Sequence, residues 1–146
     1  MKMLHTMLRV RDLDKSLEFY CGFAGLHETR RTPIGDEALL VFLTDDDGRY
    51  DLELTLNHGQ TEYALGDQYG HMAFGVPDLD AVEAEVKRRG WEYWPSRPEL
   101  KSRYLFVCDP DGYEVEIIES RNARRKRRET YRCRGQGRQN AGRERG

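Results

Sequence analysis

The chain reads as an α+β fold of two βαβββ modules, whose strands form a concave mixed sheet with the helices outside it. Two ten-residue stretches share the pattern HxxxxVxDLD: HTMLRVRDLD from His5 and HMAFGVPDLD from His71. Each is followed, at nearly the same distance, by a glutamate in an alternating apolar run, Glu53 in DLELTL and Glu116 in EVEIIE. Between these landmarks the order of strand-like and helix-like patterns is the same in both halves, so one unit is present twice.

The elements follow from local patterns. In LHTMLRV, Leu4, Thr6, Leu8 and Val10 alternate with His5, Met7 and Arg9, which is the two-residue period of a strand. Asp12 and Asp14 offer N-cap chemistry for an amphipathic helix running through Leu17, Tyr20 and Cys21 and ending near Gly22 or Gly25. A short strand is expected near Leu26 to Arg30, then ALLVFL at 38–43 and YDLELTL at 50–56, with DDDG as the turn between those two. From Gly70 the order repeats. HMAFGV is a strand, DLD starts a helix through AVEAEVKRR, and Gly90 closes that helix at its C′ position. WEYW, RYLFV and YEVEII supply three more strands, with the DPDG of Asp109 to Gly112 as the turn between the last two.

These elements divide the chain into a first module at 1–58, a linker at 59–69, a second module at 70–120 and a tail at 121–146. At 146 residues the two modules are large enough to share one core. The formal net charge of −2 conceals an uneven distribution, because the tail holds 11 of the 24 Lys and Arg residues but only 2 of the 26 Asp and Glu. The body is therefore acidic and the tail basic, and an inference from overall charge would fail for both. The tail lacks hydrophobic periodicity and has the composition of a disordered extension. RRKRR at 124–128 with Tyr131 also fits a nucleic-acid-binding arm, against which a solvated extension is the expected reading. Three widely spaced cysteines without a CxxC pair, and no apolar run near the roughly 20 residues of a membrane helix, point to a soluble, cytoplasmic protein.

Strand periodicity decides which side chains can meet. In YDLELTLN, Leu52, Leu54 and Leu56 face one way and Asp51, Glu53, Thr55 and Asn57 the other. Met72, Phe74 and Val76 lie opposite His71, and Val115 and Ile117 lie opposite Glu116. His5, Glu53, His71 and Glu116 thus share the face that the aliphatic rows leave free. A lone strand histidine or glutamate is usually a hydrogen-bonded or solvated residue; recurrence at equivalent places in a repeat reverses that expectation. Burying such groups unpartnered costs several kcal/mol, and a divalent cation supplies the compensating charge. Two imidazoles and two carboxylates leave positions open on an octahedral ion, which suits Ni, Co, Mn, Fe or Zn. His27, His58 and the run Asp45–Asp47 lack this support and read as surface features.

LHTMLRVRDLDKSLEFY, LELTLNHG, YGHMAF and DPDGYEVEIIE resemble the corresponding segments of the glyoxalase I (lactoylglutathione lyase) family, within the vicinal oxygen chelate superfamily. The resemblance covers residues 1 to about 120. It implies paired βαβββ modules with the metal site completed across a homodimer. It implies His5, Glu53, His71 and Glu116 as metal ligands, Glu116 as catalytic base with Glu53 as a second candidate, and Ni or Co favoured over Zn. Arg9 and Asn57 match residues that hold glutathione, the co-substrate, and Arg9 can fork onto a carboxylate. The implied reaction isomerises the hemithioacetal of methylglyoxal and glutathione to S-lactoylglutathione. Other superfamily chemistries are a thiol transferase, a dioxygenase or an epimerase; the first two use two His and one carboxylate, against which Glu53 counts. Two segments depart from the family pattern. The glycine-rich loop that usually carries a Lys reads SRPELKSRYLFV here, leaving Lys101 or Arg103 to take its place, and His58 stands where Trp is common.

Overall fold

The computed structural model describes residues 1–120, and the charged arm expected in the tail lies outside the described residues. The first half runs β1 (His5–Arg9), α1 (Leu13–Leu17), β2 (His27–Ile34), β3 (Ala38–Thr44) and β4 (Asp51–Asn57). The second runs β5 (His71–Val76), α2 (Leu79–Arg89), β6 (Tyr93–Pro95), β7 (Tyr104–Cys108) and β8 (Glu114–Glu119). The mixed sheet expected from the repeat is divided into two four-stranded sheets, ordered β1-β4-β3-β2 and β5-β8-β7-β6. In each, the first and last strands pair parallel and the remaining pairs are antiparallel. A parallel pair needs a long crossover, and here the rest of the module is that crossover.

The aliphatic rows behave as their alternation requires. Leu8, Val10, Val41, Leu43, Leu52 and Leu54 of the first sheet join Leu105, Val107, Val115 and Ile117 of the second in one core, with Leu13 and Leu79 from the helices. The histidine-bearing strands β1 and β5 keep their other faces open.

Two elements differ from the sequence expectation. The first helix is capped by Asp12, whose side chain accepts from the Lys15 backbone N–H at 3.1 Å, but it is α-helical only to Leu17 and widens into a π-turn over Glu18–Phe23. The Ala24 N–H reaches back five residues to the Phe19 carbonyl at 2.9 Å. The wider turn accompanies burial of two consecutive large side chains, Phe19 and Tyr20, with Phe19 stacked on Trp91 at 5.4 Å. The second difference is β2, which extends to Ile34 and is exposed along its whole length. Its charged sequence, HETRRTPI, carries no alternating apolar signal; charge and Pro33 suit an edge strand. The second helix follows expectation, with Asp78 accepting from the Ala81 N–H and Gly90 at φ 70° ending it.

A polar latch joins the two halves. The buried Tyr20 hydroxyl donates to Asp109 Oδ2 at 2.7 Å, and Asp109 Oδ1 accepts the backbone N–H groups of Asp111 and Tyr113, both at 2.9 Å. Arg11 donates through its backbone N–H and Nε to Asp111 Oδ1 at 3.0 and 2.8 Å, and through a terminal nitrogen to the Pro110 carbonyl. The Tyr113 hydroxyl donates to the Arg9 carbonyl at 3.2 Å. The DPDG turn therefore grips the exit of β1 while feeding β8. Gly112 sits at φ 91° against Leu65 of the linker, a conformation and a contact that a side chain would oppose. Burial raises the Asp109 pKa above the ordinary carboxylate range, and the three donors oppose that rise.

Tyr20→Phe removes a donor from a buried carboxylate and is expected to destabilise the protein by about 1–3 kcal/mol. The urea midpoint at constant m-value measures it, and an unchanged midpoint would mean the latch contributes nothing.

Candidate metal centre

Register explains why each histidine meets its glutamate. In the parallel β1–β4 ladder His5 lies opposite Asp51 and Met7 opposite Glu53; in β5–β8 His71 lies opposite Glu114 and Ala73 opposite Glu116. Each imidazole is thus one step along the same face from its carboxylate, within side-chain reach. His5 Nε2 stands 3.1 Å from Glu53 Oε2, and His71 Nε2 stands 3.1 Å from Glu116 Oε2. The two imidazoles are equally open, 40% and 41% exposed, whereas both carboxylates are largely covered.

The repeat includes a third residue that the sequence reading missed. Phe42 lies opposite Glu53, and Phe106 opposite Glu116. Each presents an edge-on contact to its imidazole, with ring centroids 5.6 Å apart for His5 and Phe42 and 4.9 Å for His71 and Phe106, both at 84°. Recurrence of Phe before each Glu was available in ALLVFL and RYLFV, but a phenylalanine in an apolar strand reads as core.

The halves differ in how they hold the carboxylate. Thr55 donates its hydroxyl to Glu53 Oε1 at 2.9 Å, so Glu53 has one oxygen on the hydroxyl and the other at the imidazole. Two residues beyond Glu116 stands Ile118, which has no donor to offer.

The other expected residues fall into two groups. Arg9 is exposed on the His5 face, and Asn57, at the end of β4, donates to the Tyr63 hydroxyl at 3.0 Å. Lys101 is exposed on the β6–β7 loop. Arg103, expected to substitute for the missing loop lysine, is instead committed to Asp80 at 2.5 Å and Glu119 at 3.3 Å, tying α2 to β8. That ion pair holds its guanidinium to the fold, and Lys101 is the freer cation of the two. His27 and His58 are exposed, and the Asp45 side chain caps its own turn through the Asp47 and Gly48 N–H groups, so these remain surface features.

Imidazole nitrogen beside carboxylate oxygen is a donor set that fits a borderline divalent cation. The four expected ligands stand as two pairs, and among the described residues no three His, Cys, Asp or Glu side chains converge. Each pair offers two donors on an open sheet face.

With this geometry, comparison with known proteins places the chain. The sequence model of the Glyoxalase/Bleomycin resistance protein/Dioxygenase superfamily matches residues 2–117, and the chain belongs to that superfamily. Its relatives are more specific. A probable lactoylglutathione lyase of Vibrio parahaemolyticus is 39% identical over 128 residues, covering 84% of this chain and 93% of the relative. The lactoylglutathione lyase of Haemophilus influenzae is 38% identical over 130 residues, covering 85% and 96%. Among solved structures, the trypanothione-dependent glyoxalase I of Leishmania major superposes with a TM-score of 0.73 at 33% identity, covering 92% of this chain and 98% of that one.

Thr55→Val deletes the hydroxyl that orients Glu53 and is expected to lower divalent-cation affinity by roughly tenfold or more, in the range of outer-shell substitutions. Competition against a chromophoric chelator reads this, with Ile118→Val in the other half as the control that leaves affinity in place.

Proposed function

We propose that the protein is a metal-dependent lyase that isomerises the methylglyoxal–glutathione hemithioacetal to S-lactoylglutathione, at sites shared between two copies of the chain. The observation that carries the reading is the duplicated His–Glu pair, with the same 3.1 Å geometry on an open face in each half. The names of relatives that match nearly end to end support it.

His5 and Glu53 of one copy with His71 and Glu116 of a second would complete a four-donor site. Opposite ends of one chain then serve different sites. The bound cation, with Ni or Co favoured over Zn, would polarise the two substrate oxygens and take up the negative charge that develops between them. Arg9 and Asn57 are suited to gripping the glutathione carboxylate, one by its planar fork and one as an amide donor. Lys101, exposed in the loop where the family carries its lysine, is the cation assigned to the other end of the tripeptide.

Proton movement falls to the carboxylates. Glu116 takes the proton from the carbon bearing sulfur and returns it to the adjacent carbon, so the reaction consumes no net acid or base. Glu53 is the second candidate for that role, and the Thr55 hydroxyl, donating to its Oε1 at 2.9 Å, holds its orientation. Cys21 and Cys108, which form no disulfide among the described residues, fit a cytoplasmic location, and no described helix is long and apolar enough to cross a membrane.

Metal-stripped protein given methylglyoxal and glutathione is expected to regain turnover on re-addition of Ni or Co, more than with Mn or Zn. Glu53→Gln should abolish that turnover, and full activity in this variant would overturn the four-ligand assignment. Sharing between copies has its own test. A variant lacking the first pair (His5→Ala, Glu53→Gln) and one lacking the second (His71→Ala, Glu116→Gln) are each inactive; unfolded and refolded together, they regain activity if one intact site forms per mixed dimer. Continued silence of the mixture would mean each site lies within a single chain.

A further inference from the structure

On the face that carries His5 and Glu53, a third strand contributes a cation for which the proposed reaction has no use. The register of β2 against β3 slips between Glu28 and Arg30, so Arg30, not Thr29, lies opposite Phe42. A bulge of this kind re-aims side chains and is common beside active sites. Its effect is to bring Arg30 into the row Met7, Glu53, Phe42 across the sheet. The guanidinium carbon stands 3.5 Å above the centre of the Phe42 ring, the same ring that the His5 imidazole meets edge-on. One terminal nitrogen lies 3.3 Å from Asp51 Oδ2, and the side chain is 51% exposed. A guanidinium has five N–H donors, so a single long contact to Asp51 leaves most of the fork free on the open face.

The equivalent position in the other half shows that the fold does not demand this cation. Trp94 lies opposite Phe106, which lies opposite Glu116, and Trp94 is a 50% exposed aromatic residue. The repeat keeps His, Glu and Phe in both halves and differs at the fourth place in the row. Arg30 is therefore a local addition to the first half.

We infer that Arg30 forms an anion-binding subsite for the aldehyde-derived end of the substrate, selecting α-ketoaldehydes whose far end carries a carboxylate. The inference rests on the isomerase reading above. Arg9 lies on β1 to one side of Glu53 and Asn57 four residues further along Glu53's own strand, whereas Arg30 lies two strands to the other side, across Phe42. A glutathione conjugate gripped by Arg9 and Asn57 directs its sulfur toward the His5–Glu53 pair and its aldehyde carbons onward over Phe42. A propionate arm spans roughly 5 Å, enough to reach past an aromatic ring to the guanidinium. There the planar fork donates to the carboxylate oxygens, and stacking on Phe42 holds the fork in place before the ligand arrives. Methylglyoxal ends in a methyl group and gains nothing from it.

Two measurements on full-length protein test this. The first is calorimetric affinity for S-carboxypropylglutathione against S-butylglutathione, which differ only in the terminal carboxylate. The second is kcat/KM of the metal-loaded enzyme for the hemithioacetal of γ,δ-dioxovalerate against that of methylglyoxal. In the native protein both ratios favour the carboxylate, and in Arg30→Met, which keeps an unbranched stem over Phe42, both fall at least tenfold. Ratios that are the same in Arg30→Met and the native protein, with melting temperature unchanged, would overturn the subsite. Absence of turnover with any metal would instead count against the isomerase reading, and the calorimetric ratio would still report on Arg30.

Discussion

The parallel pairing of the first strand of each module with its last is the constraint from which the site follows. It is the longest-range pairing in each half, β1 with β4 and β5 with β8, and it sets a histidine and a glutamate side by side on one face. Side-chain alternation has a period of two, so a one-residue slip would send the glutamate into the core and an aliphatic residue onto the open face. The opposing rows forbid that slip. Leu8 with Leu54, and Met72 with Val115, lie in register on the core side of the same ladders, and their burial holds the polar pairs in place. Hydrophobic burial thus acts as the register device for the chemistry on the other face.

Duplication gives the two halves this architecture, and departures from duplication give them different surroundings. Both keep the imidazole, the carboxylate and the edge-on phenylalanine at matching distances. The first half adds the Thr55 hydroxyl on Glu53 and the Arg30 guanidinium on Phe42, while the second has Ile118 and Trp94 at those places. The hydroxyl fixes one oxygen of Glu53 in place, whereas Glu116 has no such donor two residues along its strand. The repeated frame is therefore symmetric in its His, Glu and Phe and asymmetric in what surrounds them.

The latch between the halves has the opposite character, since it has no duplicate. Tyr20 of the first module's π-turn meets Asp109 of the second module's DPDG turn, while the helix position equivalent to Tyr20 in the second module is the apolar, buried Val86. Through Arg11, Asp111 and Tyr113 the same turn reaches the backbone beside Arg9 and continues into the strand bearing Glu116. Arg9, proposed to grip substrate, and Glu116, proposed to move the proton, are therefore held by a common support, although they are assigned to different sites in the proposed dimer.

Much of this was legible in the chain itself, for a physical reason. Alternation, capping and turn chemistry are properties of a few neighbouring residues, so the faces of His5, Glu53, His71 and Glu116, the Asp12 and Asp78 caps and the DPDG turn could be read directly. Lateral relationships could not. The exposed edge strand β2 has no apolar pattern to announce it, and its bulge, which brings Arg30 beside Phe42, exists only through pairing with β3. The assignment of Arg103 to Asp80 and Glu119 depends on α2 lying against β8, and the Tyr20–Asp109 bond joins residues 89 apart in sequence. The sequence by itself determined which residue types face away from the core; only the tertiary structure decided which of them stand together, because convergence is set by contacts between strands and not within them.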